Sequence, residues 1–432
     1  VRTQDGSFWA YTGTHWMRVT DEQVRHNILS TVEATVLPDA ANFSGLLDSA
    51  FRLMIADRAV GGDVLRLTEE PAPVINCVNG ELWIADDGTV ELRAHRADSF
   101  LTYVLGVTYD PQARCPRFDR AMTGVFWLVR RTKGRASQMV RHFNEIMGYA
   151  IQPRRDIPSW FMFIGPGQNA KTKGVQTLTE HLINRRAVFA DRISDIEGDK
   201  FKRGALAGKL VLLDDDVDAG TKLPDGFLKC ISERKLLTGE HKFRDSFEFI
   251  ACCVPILLAN NPPVSKDLSW GLRRRAQIVP FSRVFHKDKA TAEKEGDPRA
   301  VADTKLFPYI WQHEMPGVLN RALEGLRRLR ARGRFDEPRA CIEARREWLA
   351  AANPLAAFIG EGCEGDPAAS VALHEFYEGY TAWARESGIR SVEPRNTIKR
   401  GLEGLGYKTA ATGHGTAVRG LRVVFAPTWG EF

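Results

Sequence analysis

The segment Trp160–Thr172 reads WFMFIGPGQNAKT, an apolar run that leads into a glycine-rich turn and ends in Lys-Thr. A short apolar run bounded by glycine predicts a buried strand. The spacing from Gly165 to Lys171 and Thr172 is that of the phosphate-binding loop, in which backbone N–H groups surround a phosphate, the lysine reaches the β- and γ-phosphates and the hydroxyl contacts Mg²⁺. We therefore predict an ATP and Mg²⁺ site formed by Gly165, Pro166, Gly167, Gln168, Asn169, Ala170, Lys171 and Thr172.

One position departs from the phosphate-loop pattern. Ala170 stands where the pattern has its second glycine. A methyl group there would crowd the phosphates or tilt the loop. For this segment taken alone, a strand, a turn and a helix with a coincidental Lys-Thr stays open as the plainer interpretation.

A second apolar run ends in consecutive carboxylates, since residues 209–216 read KLVLLDDD. Downstream of a phosphate loop, such a strand end holds the water shell of Mg²⁺ with one carboxylate and polarises the attacking water with the next. We predict that Asp214 serves the metal and that Asp215 is the catalytic base. An acidic turn at the end of a strand is the alternative for this segment in isolation.

A third apolar run, VPILLANNPP at residues 254–263, ends in an amide that would lie beside the other two strand ends. Asn260 could there bond the γ-phosphate or the attacking water and act as a sensor, although Asn-Asn-Pro-Pro is also an ordinary turn sequence. Residues 270–275 read WGLRRR and precede another apolar run. They predict an arginine finger that reaches a neighbouring subunit, Arg274 or Arg275, or else a solvated rim.

Two basic segments are candidates for DNA contact. Residues 235–244 read KLLTGEHKFR, which suits a hairpin lining a channel that follows a phosphate backbone. A solvent-exposed hairpin without a ligand is the alternative. Residues 394–400 read PRNTIKR and place Arg395 and Lys399 at a helix start that could meet phosphates or bases, or form a basic amphipathic helix with no ligand.

The composition sets bounds on the class of protein. The 432 residues suffice for two or three domains with cores of their own. The seven cysteines form no C-x-x-C pair and lack the histidine spacing of a zinc module, so we expect reduced thiols in a cytosolic protein. No apolar run is long enough to cross a bilayer, which predicts no membrane partner. A net charge of +6 permits nucleic-acid binding without showing it.

Composition and periodicity divide the chain into four regions. Residues 1–150 combine aromatic hairpins with helical stretches, and residues 151–300 alternate apolar strands with polar helices, which predicts an α/β domain with a parallel sheet. Residues 301–365 are helical and arginine-rich, and residues 366–432 predict helices followed by a short β-wing. Within this division, residues 286–304 are charged and helix-poor and predict an exposed linker.

The ordered set of motifs resembles that of the superfamily 3 helicases, specifically the phage and poxvirus primase-helicase family. The set comprises G-x-x-x-x-x-K-T at 165–172, Asp-Asp at 214–215, Leu-Thr-Gly at 237–239, Ala-Asn-Asn-x-Pro at 259–263 and arginines before the x-Pro-Phe of 279–281. Segments 78–118, 314–325 and 371–388 are similar to that family's N-terminal collar, its helical segment after the core and its C-terminal winged helix. The resemblance covers nearly all of the chain.

This resemblance implies a hexameric AAA+ ring that hydrolyses ATP between subunits and moves single-stranded DNA through a central pore. By position, His241 and Lys242 fall in the pore hairpin. Asp215 stands where many relatives carry glutamate, and the shorter carboxylate would place the water less well. The implied setting is phage or mobile-element replication in the bacterial cytoplasm, with forked DNA as substrate and an upstream primase or polymerase domain, or other replication proteins, as partners.

Two other functions stay open at this point. The first is an origin-binding or scaffold ring, in which nucleotide mainly controls assembly and the winged helix binds duplex DNA. The second is a P-loop kinase of small molecules, which is disfavoured because a sensor asparagine and a finger-like arginine triplet have no role in a monomeric kinase.

Overall fold

The structure is a computed structural model of the chain. It describes residues 3, 6–35, 43–56, 69, 72–86, 88–127, 133–218, 221–263, 274–352, 354–387, 392–413 and 415–425.

The N-terminal region is built from two small antiparallel sheets and four helices that the described residues show. Strand β1 (Phe8–Tyr11) pairs with β2 (Trp16–Val19), and helices α1 (Asp21–Thr35) and α2 (Phe43–Ala56) follow. Strands β3 (Val74–Cys77), β4 (Gly80–Ile84) and β5 (Val90–Arg93) form the second sheet, and α3 (Pro116–Val125) and α4 (Lys133–Ala150) lead to the central domain.

The central domain contains a five-stranded sheet in which all strands are parallel, as the sequence predicted. Its strands are β6 (Trp160–Ile164), β7 (Val188–Ala190), β8 (Val211–Val217), β11 (Val254–Ala259) and β12 (Ala276–Pro280). Their order across the sheet is β12-β6-β11-β8-β7. Strand β11 is thus inserted between the strand that carries the phosphate loop and the strand that carries the carboxylates, so three polar strand ends meet at one edge.

Shorter elements surround this sheet. They are α5 (Lys171–Gln176), which continues as a π-helical turn over Thr177–Leu182, and α6 (Ile193–Ile196), α7 (Lys200–Gly204), α8 (Asp225–Ser232), and the antiparallel hairpin of β9 (Leu236–Glu240) and β10 (Ser246–Ile250). After the sheet come α9 (Lys289–Lys294), α10 (Leu306–His313), α11 (Met315–Arg332) and α12 (Arg339–Ala352).

Two apolar clusters cover the two faces of the sheet. Phe161 and Phe163 face a cluster that includes α4, α11 and the β3–β5 sheet. Trp160 and Met162 face a second cluster that includes the β9–β10 hairpin and α12. This alternation is what the period of a strand requires when both faces are buried. The N-terminal region therefore shares a core with the sheet, while the division into four domains stays a prediction.

Glycine allows helices α4 and α11 to approach closely. A Cβ atom on Gly325 would lie 2.2 Å from the Asn144 carbonyl oxygen, and one on Gly148 would lie 2.3 Å from the Ala322 carbonyl oxygen. Any larger side chain at either position would push the helices apart. The two glycines therefore fix the helical layer on which one face of the sheet rests.

The prediction of an exposed linker at residues 286–304 was wrong. The segment contains α9 and buries Ala292 and Ala300. Arg283, just before it, forms an ion pair of 2.8 Å with Asp297. Most charged residues of this segment are exposed while Ala292 and Ala300 pack inward, so its composition concealed a packed element.

The C-terminal region has its own apolar cluster, which includes Phe358, Phe376 and Trp383. Its elements are α13 (Pro354–Gly362), β13 (Cys363–Ala372), α14 (Leu373–Glu386), α15 (Arg395–Gly404), β14 (Thr409–Thr412) and β15 (Gly415–Val423), and the strands form an antiparallel sheet in the order β13-β15-β14. The predicted helices and terminal hairpin are present, and the winged-helix assignment stays a prediction.

Candidate functional site

The loop after β6 is held in place by a close approach of backbone and by one buried amide. A Cβ atom on Gly165 would lie 2.1 Å from the Phe281 carbonyl oxygen, so only glycine fits there. The Asn169 side chain donates to the same Phe281 oxygen at 2.9 Å and also to the Pro166 carbonyl, and it accepts from the Lys171 backbone N–H at 3.1 Å. Asn169, predicted to bind nucleotide, therefore shapes the loop from within.

Ala170 adopts a left-handed backbone conformation, with φ 60° and ψ 12°. This explains why the phosphate-loop pattern asks for glycine at this position, because a Cβ atom makes that conformation unfavourable. Gln168, two residues earlier, also has a positive φ of 61°. Two residues of the loop thus have the positive φ that usually calls for glycine, although both carry side chains. The resulting backbone strain lies where the phosphates would bind.

We expect Ala170→Gly to raise the free energy of unfolding by about 0.5–1 kcal/mol and to strengthen ATP binding. A Cβ atom costs about 1–2 kcal/mol in a left-handed backbone conformation, and glycine removes this cost. Part of the gain in stability is lost because glycine gives the unfolded chain more conformational entropy. Chemical denaturation and an ATP titration measure the two effects. The matched control is Ala205→Gly at φ −69°, which should instead lose stability. A stability loss of equal size in both variants would contradict the strain at Ala170.

Lys171 lies at the sheet edge with its ammonium directed at the end of β11. Its Nζ donates to the Ala259 carbonyl at 2.6 Å and to the Asn260 side-chain oxygen at 2.9 Å, with the Gly165 carbonyl at 3.4 Å. Burial lowers the pKa of Lys171, and the negative charge of Asp216 acts in the opposite direction. The predicted phosphate-binding lysine is therefore in contact with the predicted sensor Asn260.

The three carboxylates at the end of β8 have different environments. Asp214 is buried and its Oδ2 accepts from the Ile193 backbone N–H at 2.9 Å. Burial raises its pKa, partly opposed by the backbone N–H groups of Ile193 and Asp216. Asp215 and Asp216 are exposed. The predicted metal carboxylate Asp214 thus also links β8 to the start of α6 through this hydrogen bond.

A β-bulge interrupts the pairing of β8 with β11 at the carboxylates. Asp214 pairs with Leu257 and Val217 pairs with Ala259, so β8 takes three steps where β11 takes two. A bulge of this kind re-aims the side chains it contains and is common beside active sites. It contains Asp215 and Asp216, and Asp216 is the carboxylate whose charge acts on Lys171. The sequence alone indicated no role for Asp216, whose only signal was a third aspartate in the run.

The predicted arginine finger falls on residues with contrasting exposure. Arg275 is buried, forms an ion pair with Glu233 of its own chain, and has a pKa lowered by burial. Arg274 is exposed and lies 4.0 Å from the same carboxylate. Arg273 lies outside the described residues. Of the two described arginines, only Arg274 is exposed, and the finger role stays a prediction.

A cavity of about 660 Å³ adjoins the phosphate loop on the β12 side. The loop contributes Ala170, α3 contributes Arg117 and Arg120, and the chain after β12 contributes Phe285. Further basic lining groups are Lys173, Lys287 and Arg299. The cavity combines apolar walls with a concentration of positive charge, on the side of the loop opposite to Asp216 and Asn260.

The predicted DNA-contact residues lie on the β9–β10 hairpin and on α15, outside the parallel sheet. His241 and Lys242 are at the turn of the β9–β10 hairpin, where Lys242 is exposed and the His241 ring lies 4.9 Å from that of Phe247. Arg395 and Lys399 are in the first turns of α15, Arg395 exposed and Lys399 half-buried. Both predicted DNA surfaces thus belong to elements other than the strands that end at the nucleotide edge, and both remain predictions.

The residues at the edge fit a magnesium ion by their chemistry. Thr172 lies in the first turn of α5 and is exposed, and β8, which is separated from β6 by β11, carries three consecutive aspartates. Mg²⁺ prefers oxygen ligands and is usually held by one or two carboxylates together with substrate phosphates. Among the described residues no group of three or more His, Cys, Asp or Glu side chains could hold a metal alone. No helix in the described ranges is long and apolar enough to span a membrane.

The parallel sheet and the loop after β6 define a P-loop-like α/β core. Residues 1–127 match the sequence family described as D5 N terminal like, and residues 163–275 match a family of unknown function, DUF5906. The D5 N-terminal region is that of phage and viral primase-helicase proteins, and the match relates this chain to that group of replication proteins.

Solved structures with low sequence identity also match along the whole chain. The A form apo structure of the NrS-1 C terminal region is 13% identical, with a TM-score of 0.49, and the match covers 98% of this chain and 95% of that one. The apo structure of NrS-1 C terminal region (305-718) is 12% identical, with the same TM-score and the same coverage. No curated protein matches this chain.

Proposed function

We propose that the chain is an ATP-driven DNA helicase of phage or mobile-element replication that acts as a ring on single-stranded DNA. The observation that carries the proposal is the contact of the Lys171 ammonium with the Asn260 side chain, at the end of a strand that pairs with the aspartate-bearing β8. A phosphate-binding lysine, an amide and a carboxylate are the groups that hydrolysis of a γ-phosphate requires. The family match of residues 1–127 supports the replication setting.

The proposed hydrolysis assigns one role to each of these groups. Lys171 would turn its ammonium from the Ala259 and Asn260 oxygens to the β- and γ-phosphates, which frees the Asn260 amide to contact the γ-phosphate or the water. Asp216 would accept the proton of the attacking water. Thr172 and a β8 carboxylate would hold Mg²⁺, which neutralises charge on the phosphates when it is bound. Asp215 remains the alternative base.

The cavity beside the loop suits the nucleoside half of ATP. With the triphosphate directed from the loop towards β11 and β8, the base and ribose extend over β12, where the cavity lies. Phe285 and the aliphatic stems of Arg117 and Arg120 offer apolar surface to a base, and their charges attract the triphosphate. On this proposal, α3 of the N-terminal region takes part in nucleotide binding.

The first test is ATP hydrolysis with and without single-stranded DNA, combined with sizing of the same sample in ATP. A ring whose turnover rises with DNA would support the helicase, and unwinding of a forked duplex would then be measured. Assembly in ATP without turnover would instead favour the scaffold ring, for which the strained Ala170 is the supporting observation. A monomer at all concentrations with ATP would count against both.

We expect Arg274→Ala to keep ATP binding and to lose hydrolysis. Arg274 is exposed and would contact the γ-phosphate of the adjoining subunit, where such a finger contributes about 10³-fold or more to turnover. Mixing this variant with Lys171→Ala subunits should restore part of the activity, since some interfaces then contain an intact lysine and an intact arginine. Activity that never exceeds the sum of the two variants would contradict a finger acting between subunits.

A further inference from the structure

The turn of the β9–β10 hairpin presents a fully exposed aromatic ring. Phe243 is 100% exposed. It lies in a tight turn closed by a bond of 3.0 Å from the Arg244 backbone N–H to the His241 carbonyl, and its φ is +62°. The third residue of such a turn is commonly glycine or asparagine, because those residues tolerate a positive φ.

This phenylalanine does not stabilise the fold. Its ring is not buried, so it contributes no hydrophobic stabilisation, and its backbone conformation is unfavourable for any residue with a Cβ atom. Large apolar side chains that stand alone in solvent on a strained turn are candidates for contact with a ligand.

The base of the hairpin is firmly anchored, so the ring is held at a defined place. Leu237 and Phe249 are buried in the second cluster of the sheet. A Cβ atom on Gly239 would lie 2.5 Å from the Cα atom of Gly204, which shows how closely β9 rests on α7. A preorganised tip loses little conformational entropy when it binds.

The neighbours of the ring define the chemistry of its ligand. Lys242 beside it is exposed, while Arg244 on the other side forms an ion pair with Asp21 of α1. A single aromatic ring beside a cation suits a nucleobase stacked on the ring with its phosphate at the cation, which is how proteins grip single strands without reading their sequence. An apolar protein partner would call for a wider apolar patch than one ring.

We propose that Phe243 stacks on an unpaired base of the single strand and supplies the part of DNA binding that does not depend on salt. The inference rests on the proposed function and adds to it a gripping residue that the basic pattern of the hairpin did not indicate. Since stacking needs an exposed base face, Phe243 should favour single strands over duplex, in which the bases are already stacked.

The test compares Phe243→Ala and Lys242→Ala in single-stranded DNA binding across a salt series. Phe243→Ala should weaken binding by about 5- to 100-fold at every salt concentration, with the slope of log K against log salt unchanged. Lys242→Ala should reduce that slope by about 0.7, because one cation no longer neutralises a phosphate. Equal affinities of wild type and Phe243→Ala, or a slope that changes in Phe243→Ala, would overturn the proposal.

Two further variants separate stacking from damage to the fold. Phe243→Trp should bind like wild type and its emission should fall when DNA is added, whereas unchanged emission would overturn stacking. Leu53→Ala, an apolar truncation at another exposed position, should bind as wild type does. If wild type binds no single strand while ATP is still hydrolysed, the DNA role fails at the level of the proposed function, and the stacking proposal fails with it.

Discussion

Lys171→Ala should abolish ATP binding and lower turnover by at least about 10³-fold, the scale on which a donor to the reacting charge contributes. The reason is the position of its ammonium, which lies at the edge where β6 and β11 end and is bonded to the Ala259 and Asn260 oxygens. These bonds hold the charge beside the loop, at the place where the β- and γ-phosphates would bind. Binding of a fluorescent ATP analogue and phosphate release would measure the two effects.

The control for Lys171→Ala is Lys173→Ala, which removes the same charge two residues further along. Lys173 is exposed, donates to Gln176 at 3.2 Å and lies over the Trp311 ring at 5.0 Å. It lines the cavity and should affect ATP affinity only several-fold, with turnover at saturation preserved. Thermal unfolding of both variants would show that the fold persists. Wild-type hydrolysis by Lys171→Ala would remove the phosphate-loop assignment.

The sequence predicted those parts of the site that depend on local chemistry. Apolar runs bounded by turn residues indicated β6, β8, β11 and β12, because a strand buried on both faces must be apolar throughout. The glycine-rich turn and the carboxylates at a strand end were visible for the same reason. Since carboxyl ends of parallel strands share an edge, their convergence could be expected from the sequence.

The features that the sequence did not predict depend on contacts between distant segments. Arg275 forms its ion pair with Glu233, a residue of the segment that follows α8, and Arg244 forms one with Asp21 of α1. An ion pair between residues far apart in the chain produces no periodic pattern in the sequence, so neither pair could be predicted. The basic cavity assembles from α3, the phosphate loop and the chain after β12, so no single segment indicates it. The alanines of 286–304 were outnumbered by charges and therefore looked like part of a linker.

The proposed role of Asp216 depends on the bulge in β8, and it leads to a second large expected effect. Counting along a regular strand would place Asp214 and Asp216 on one face and Asp215 on the other. The bulge between Asp214 and Val217 breaks that count. Asp214 is already engaged by the Ile193 backbone, and Asp216 is the carboxylate that acts on Lys171.

Asp216→Asn should therefore lower turnover at saturating ATP by about 10²-fold or more, the usual contribution of a positioned base, while ATP affinity changes only a few-fold. Asp215→Asn is the matched control, because it removes the same charge from the adjoining exposed residue. We expect it to retain most of the turnover. The reverse ranking would return the catalytic role to Asp215, as the motif alone predicts.

A pH series distinguishes a charge that acts on Lys171 from one that does not. Burial lowers the pKa of Lys171 and the Asp216 carboxylate opposes that shift, so removing the carboxylate should lower this pKa further. ATP binding needs the protonated lysine and is lost as pH rises through that pKa. The alkaline limit of ATP affinity should thus move to lower pH in Asp216→Asn and stay in place in Asp215→Asn. An unmoved limit in both variants would show that neither carboxylate acts on the lysine.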